Sequence, residues 1–337
     1  MPNDLITIDI NEDQFFIAIA KTEVHSFILF GVYNQFTVKK LLSRVGKAFY
    51  HNQLDDSCLE ESTRLLQLCT VGVPARLMDE RVVRRSCASK GINYQAYDIR
   101  YEQYLEYLEM LGKLSTEDNF FSCYQPYHKS DEQIKLKLDV VTPTQGSDAR
   151  VDKIKDSVTN LNLGNTCRHS AIELVEAVQM QPISASVSTN FFQNLPYQTE
   201  LMYGHPSITI PFYVLPVPPS AYIGLGDEKE QILRDLYAGM ERLPLIAPHE
   251  QITMDKFSRL KELYNDIAGP QKDLSLDQLL QNIQEWKSKN RVVLDSLREK
   301  FWVLDSFFKR TPATMLLVNN LESRLEKLIG SSLSMRC

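Results

Sequence analysis

The run Asn-Leu-Gly-Asn-Thr-Cys at residues 162–167 places a cysteine at the start of a predicted helix. Thr166 is a residue type favoured at the N-cap, and apolar residues follow it at helical spacing. These apolar residues are Ala171, Leu174, Val175 and Val178. Cys167 therefore falls in the first helical turn, where the partial positive charge of the helix N-terminus favours a thiolate. Asn165, just before it, could direct its amide toward an oxyanion.

Cys167 has two interpretations. A free cysteine at a helix start is often a small buried hydrophobic residue without a chemical role. A cysteine activated by its surroundings and by a neighbouring base is instead a nucleophile. The Asn-Leu-Gly-Asn-Thr context before Cys167 favours the nucleophile.

The same run and its helix resemble the cysteine box of ubiquitin-specific proteases and, more broadly, the nucleophile helix of papain-like cysteine proteases. The resemblance covers a short stretch of the chain, so it points to the papain-like clan rather than to one family within it. It implies an α+β fold in which a small antiparallel sheet and a nucleophile helix form a papain-like core. It also implies Cys167 as the nucleophile and no cofactor.

A cysteine nucleophile needs a base, and the strand context of a histidine discriminates better than its distance along the chain. His25 opens an apolar strand predicted over residues 24–33. A histidine-bearing strand that precedes the cysteine helix resembles circularly permuted papain-like proteins. We rank His25 first because the N-terminal region predicts more strands for a core than the region after Cys167.

His205 is the second candidate base, because it precedes a predicted strand over 208–215 and follows the cysteine in the chain. This order resembles vasohibin-like carboxypeptidases. The resemblance implies Asp227, or the adjacent Glu228, as the residue that orients the histidine. Both histidines remain candidates at this point.

Composition and charge exclude several classes of protein. The net charge is -6 with both signs interspersed, so no basic stripe is present to bind nucleic acid. The dispersed cysteines predict neither a zinc site nor a disulfide scaffold. They are Cys58, Cys69, Cys87, Cys123, Cys167 and Cys337. The N-terminal residues do not resemble a signal peptide, and no apolar run reaches the length of a membrane span. We therefore expect a cytoplasmic protein.

The first 226 residues are predicted to form the α+β domain. Strands are predicted over 5–10, 15–20 and 24–33, with a hairpin joining the first two and the third central in its sheet. A further strand over 134–140 alternates apolar and polar residues, which predicts one buried and one solvated face, either at a sheet edge or over solvent. Between them, a helical insertion is predicted at about 55–120. Its tyrosine stripe within 100–108 is interpreted either as a helix seated on the core or as a partner-binding face.

Residues 227–337 are predicted to form a helical bundle. Gly269 ends one helix, and Ser275 with Gln278 gives a capping box for the next. Pro312 opens the last helix, and Gly330 closes it. Apolar residues at helical spacing predict antiparallel packing through short loops.

Three hypotheses of function follow. The first is a cysteine hydrolase, a protease or isopeptidase that acts on a protein through an acyl-enzyme. The same Cys-His pair could instead run a deamidase or transglutaminase. The third is a non-catalytic helical protein that binds a partner protein. The whole arrangement also looks like Legionella-type secreted effectors with papain-like cores, which implies secretion into a host cytosol without a cleaved signal peptide.

Overall fold

The computed structural model describes residues 5–49, 72–80, 89–183, 185–202, 205–222, 224–269, 274–297 and 311–334. It has a mixed α+β structure with antiparallel sheets. The chain divides into two compact units, Met1–Val217 and Pro218–Cys337. The sequence predicts this boundary after residue 226. The structure places it earlier, because the short helical turn Pro219–Tyr222 already belongs to the second unit.

The described part of the first unit contains twelve strands and three α-helices. The first six strands are β1 (Leu5–Asp9), β2 (Gln14–Thr22), β3 (His25–Asn34), β4 (Thr37–Phe49), β5 (Val73–Asp79) and β6 (Ser89–Ile99). The other six are β7 (Ser122–Lys129), β8 (Gln133–Val140), β9 (Asn160–Leu161), β10 (Tyr197–Met202), β11 (His205–Pro206) and β12 (Val214–Leu215). The helices are α1 (Tyr101–Leu114), α2 (Ala149–Val158) and α3 (Cys167–Gln179).

A nine-stranded sheet forms the centre of this unit. Eight of its strands run in the order β11-β10-β6-β2-β3-β4-β5-β9, and β12 pairs in parallel with β6. β3 pairs with β2 on one side and with β4 on the other, which confirms its predicted central position. Its residues from Ser26 to Tyr33 are buried, as a strand covered on both faces requires. Helix α3 packs on β2, β3 and β4.

The predicted hairpin between the first two strands is wrong. β1 pairs with β8 in a separate three-stranded sheet, β1-β8-β7, whereas β2 pairs with β3. The turn between β1 and β2 closes on itself, because the Asp13 side chain accepts the backbone N–H of Asp9 at 3.0 Å. β8 has the predicted buried face, with Ile134 and Leu136 inside. It is the middle strand of its sheet, so of the two predicted positions the sheet edge is wrong.

The interval predicted to be a helical insertion is largely strand where it is described. β5 and β6 occupy residues 73–79 and 89–99, and α1 follows β6. The remaining parts of the interval, 50–71 and 81–88, lie outside the described residues. β6 pairs with β2 on one side and β10 on the other, so tertiary pairing overrides the local helical pattern.

The tyrosine stripe of α1 is part of the core. Tyr104 and Tyr107 are fully buried, and the Tyr104 hydroxyl donates to the carbonyl oxygen of Tyr124 at 2.6 Å. The Tyr107 ring stacks on Phe30 with their centroids 3.8 Å apart, and its hydroxyl lies 2.8 Å from the Ser43 hydroxyl. These contacts attach α1 to β3 and β4. They favour the core interpretation over the partner-binding one.

The described part of the second unit is helical, as predicted. Its α-helices are α4 (Asp227–Arg242), α5 (Gln251–Ala268), α6 (Leu276–Lys289), α7 (Arg291–Asp295) and α8 (Ala313–Ser334). Ser275 and Gln278 form the predicted capping box at the start of α6. α8 begins directly after Pro312, but it continues through Gly330 to Ser334. The predicted strand over 208–215 is reduced to β12, because prolines interrupt the segment before and after it.

Replacing Phe30 with alanine should lower the free energy of unfolding by about 3–5 kcal/mol, because a fully buried ring and its stack on Tyr107 are lost. Urea denaturation followed by circular dichroism measures this change. Phe120→Ala is the control, since Phe120 is 56% exposed and its loss should change stability by about 0.5 kcal/mol or less. Equal losses in the two variants would contradict the described core.

Candidate functional site

Helix α3 begins at Cys167, as the sequence predicts, and His169 closes its first turn. Nδ1 of His169 accepts the backbone N–H of Thr166 at 3.2 Å and lies 3.0 Å from the Thr166 hydroxyl. Accepting this bond requires a neutral imidazole. Burial, with the nearby charge of Lys47, lowers the pKa of His169 and favours that form. His169 therefore caps its own helix.

The Cys167 thiol lies against the turn that opens β3. Only 7% of the residue is exposed. Its sulfur accepts the backbone N–H of Ser26 at 3.1 Å and lies 3.7 Å from the carbonyl oxygen of Val24. The His25 side chain hydrogen-bonds the same thiol. The thiol is thus held by the backbone on either side of the histidine and by the histidine itself.

Glu80 contacts the His25 ring at Nε2. Its carboxylate is paired with His25 Nε2 through one oxygen and with Arg44 Nε, 3.3 Å away, through the other. Both acid and arginine are buried. Glu80 was missed from the sequence because it directly follows β5, which lies in the interval predicted to be helical. Cys167, His25 and Glu80 thus form a connected group of a thiol, an imidazole and a carboxylate.

Gly46 makes room for this arrangement. It lies in β4 opposite Phe27, and a Cβ atom on it would overlap the Glu80 carboxylate. The same Cβ would be 3.1 Å from His25 Nε2. Any larger residue at position 46 would have to displace the acid. The requirement for glycine here is space for a neighbouring side chain.

The pKa shifts of Cys167 and His25 act toward a thiolate and an imidazolium. Burial alone would lower the pKa of His25, but its hydrogen bonds to Cys167 and Glu80 and their charges raise it to about 9. Burial opposes ionisation of Cys167, yet the hydrogen bond and charge of His25 lower the pKa of the thiol. The Ser26 N–H and the charge of Arg168 lower it further. At neutral pH these shifts favour the charged form of both groups.

Asn165 does not present its amide to the site, which corrects its predicted role as an oxyanion donor. Its Nδ2 donates to the carbonyl oxygens of Ser157 and Asn160 at 2.8 and 3.0 Å. Its Oδ1 accepts from Lys47 Nζ at 3.1 Å. These hydrogen bonds of the amide stabilise the turn before α3. The backbone N–H of Cys167 belongs to the first N–H groups of a helix, which have no intrahelical partner.

The other predicted site residues lie elsewhere. His205 is in β11, which pairs with β10 at one end of the large sheet, and three strands separate β11 from β3 in the pairing order. Its Nδ1 lies 2.8 Å from the carbonyl oxygen of Pro206. Asp227 is the first residue of α4 in the second unit. The structure therefore brings His25, and not His205, to Cys167, with Glu80 as the acid.

Two buried cations fix the loop between α3 and β10 beside the nucleophile. Arg168, fully buried, donates to the Ser26 hydroxyl at 2.9 Å and to the carbonyl oxygens of Ser188 and Gln193, each at 3.1 Å. Lys21 donates to the carbonyl oxygen of Phe192 at 3.0 Å and to the Asn194 amide oxygen at 2.9 Å. These bonds hold residues 188–194 next to Cys167, so this loop borders the candidate site.

The chain matches no protein-family model, no curated protein and no solved structure. The described residues contain no cluster of three or more histidine, cysteine, aspartate or glutamate side chains arranged to hold a metal ion. None of the described helices is both long and apolar enough to cross a membrane.

Replacing Gly46 with alanine should lower the pKa of His25 from about 9 toward the usual value for histidine, because a Cβ atom displaces Glu80. NMR titration of the histidine ring protons measures this shift. Gly91→Ala is the matched control, since Gly91 is also a strand glycine but a Cβ there would meet nothing within 4 Å. An unchanged His25 titration in a folded Gly46→Ala variant would contradict the described contact.

Proposed function

We propose that this protein is a cysteine hydrolase of the papain-like clan that cleaves a peptide or isopeptide bond in a protein. The observation that carries the proposal is that His25 contacts both the Cys167 thiol and the Glu80 carboxylate. A nucleophile, a base and an orienting acid in contact are the parts that acyl transfer needs. The helix-borne cysteine beside a strand-borne histidine resembles the papain-like arrangement, with the histidine first in the chain.

In the first half of the reaction, the Cys167 thiolate attacks the carbonyl carbon of the scissile bond. The carbonyl oxygen becomes an oxyanion, which the Cys167 backbone N–H stabilises. The tetrahedral intermediate collapses as the carbon–nitrogen bond breaks. The His25 imidazolium gives its proton to the leaving amine, and a thioester to Cys167 remains.

In the second half, neutral His25 takes a proton from a water molecule, which attacks the thioester carbonyl. The carbon–sulfur bond then breaks, and the products are a carboxylic acid and the Cys167 thiolate with the His25 imidazolium restored. Glu80 keeps the His25 ring oriented and favours its charged form in both halves. An amine in place of water would give transamidation by the same steps. A role as an effector in a host cytosol extends this proposal and rests on the sequence resemblance alone.

Replacing His25 with alanine should remove the low-pH reactivity of Cys167, because the charge that favours the thiolate is lost. The rate of alkylation by iodoacetamide is measured from pH 5 to 10, with peptide mass spectrometry to locate the modified cysteine. We expect the apparent pKa of the thiol in the wild-type protein to lie well below about 8.5 and to rise toward that value in the variant.

His205→Ala is the matched control for this measurement, and its profile should equal that of the wild-type protein. Loss of reactivity in His205→Ala instead would transfer the base to that histidine. A wild-type Cys167 that alkylates slowly at every pH would overturn the hydrolase proposal. It would favour a non-catalytic protein that binds a partner.

Replacing Cys167 with alanine should abolish turnover of an activated ester such as p-nitrophenyl acetate, because the acyl-enzyme no longer forms. Stopped-flow release of nitrophenol and intact-protein mass spectrometry measure the burst and the acylated species. Cys123→Ala is the control, because Cys123 is a buried thiol whose described partner is the Ser43 hydroxyl, in the core. Equal turnover by the two variants would show that Cys167 is not the nucleophile.

A further inference from the structure

Strand β4 supports the candidate site from both of its faces. Successive residues of a strand point to opposite faces of the sheet. Arg44 and Gly46 lie on the face of Glu80, where one pairs with the acid and the other leaves room for it. Lys47, the next residue, lies on the face of α2 and α3. One strand thus reaches both the acid and the segment that leads into the nucleophile helix.

Lys47 makes three hydrogen bonds around the start of α3. Its Nζ donates to the carbonyl oxygen of Ser157 at 2.7 Å, to the carbonyl oxygen of Asn165 at 2.9 Å and to the Asn165 amide oxygen at 3.1 Å. An ammonium group has three protons, so these acceptors use all of them. Asn165 and Ser157 are also joined directly, through the Asn165 amide. Lys47 therefore ties β4 to the end of α2 and to the turn before Cys167.

All three acceptors of Lys47 are neutral oxygens. The residue is 2% exposed, and a buried ammonium without a paired anion is costly. Burial lowers the pKa of Lys47 to about 8, while the negative charges of Cys167 and Glu173 act to raise it. Two other charged groups act on the thiol, Arg168 and His25, and Glu80 is paired with His25. A thiolate at Cys167 and the Glu173 carboxylate are the two anions that favour the charged form of this buried lysine.

We propose that Lys47 is a positioning residue for the nucleophile. It holds Cys167 within hydrogen-bond distance of the Ser26 N–H and beside His25, and it supplies a buried positive charge that favours the thiolate. The inference rests on the proposed function, since it assigns a role to Lys47 in preparing Cys167 for attack. It explains why Asn165, which looks like an oxyanion donor in the sequence, turns away from the thiol. Lys47 acts on the turn before Cys167 through the Asn165 amide, whose oxygen accepts one of its hydrogen bonds.

A purely structural role for Lys47 would affect stability without changing the ionisation of Cys167. The test is therefore the pH profile of Cys167 alkylation by iodoacetamide in Lys47→Met. We expect the apparent thiol pKa to rise by about one unit, so that alkylation at pH 6 to 7 is about tenfold slower than in the wild-type protein. Lys47→Arg, which keeps the charge and the donors, should recover part of this loss.

Lys256→Met is the matched control. Lys256 is also 2% exposed and donates to a backbone carbonyl, that of Ser296, but it lies in α5 of the second unit. Its loss should lower stability and leave the pH profile of Cys167 unchanged. Lys47→Gln, also uncharged, takes the place of Lys47→Met if circular dichroism shows that the methionine variant does not fold.

The outcomes separate this inference from the proposed function. A wild-type thiol of ordinary pKa would overturn the hydrolase proposal and this inference with it. A low wild-type pKa that is unchanged in a folded Lys47→Met or Lys47→Gln variant would overturn the role of Lys47 and leave the hydrolase proposal intact. A raised pKa in Lys47→Met but not in Lys256→Met supports the proposal.

Discussion

The register between β3 and β4 is the constraint on which the candidate site depends. Phe27 pairs with Gly46, so the residue without a side chain lies where Glu80 and His25 meet. A slip of one residue would turn every β4 side chain to the opposite face. Lys47 would then point at Glu80, and the turn before Cys167 would lose its three hydrogen bonds. Glu80, His25 and the turn before Cys167 are therefore all positioned by one strand pairing.

Buried cations replace the usual apolar contacts around the N-terminus of α3. Lys21, Lys47 and Arg168 are each at most 5% exposed, and all donate to backbone carbonyl oxygens of neighbouring segments. Such bonds fix loops firmly, because a buried donor that loses its acceptor pays the full cost of desolvation. Arg168 and Lys47 also interact electrostatically with the Cys167 thiol, and Lys47 interacts with Glu173 as well. The side chains that order these loops therefore also place positive charge around Cys167.

The sequence predicts the parts of this protein that depend on local patterns. The apolar run of β3, the start of α3 at Cys167 and the capping box at Ser275 are all readable from neighbouring residues. The pairing partners of the strands cannot be predicted from neighbouring residues. β1 pairs with β8, and β6 pairs with β2 and β10, through contacts between residues distant in the chain. Glu80 escapes prediction for the same reason. Nothing beside it in sequence marks it as a partner of His25, and only the pairing of β4 with β5 brings it there.

The incorrect prediction for Asn165 shows a further limit of predicting a residue's role from its neighbours in the sequence. An amide just before a cysteine helix has the right type and position for an oxyanion donor, but its orientation is decided by competition for its hydrogen bonds. Lys47, whose importance no nearby motif indicates, takes the amide oxygen, and two carbonyls take the amide nitrogen. A buried ammonium with few acceptors has more to lose than an amide that water could solvate. The lysine therefore sets the conformation of the asparagine.

The charge distribution also sets the pH range in which such a site would work. With the pKa of His25 raised to about 9 and that of Cys167 lowered, both shifts act toward an imidazolium and a thiolate. A histidine whose pKa is raised on folding stabilises the folded state below its unfolded pKa, and this contribution is lost as pH rises through about 9. Above that pH the thiolate persists but the proton for the leaving amine is gone. The nucleophile would still react with small electrophiles, while amide cleavage, which needs an acid, would decline.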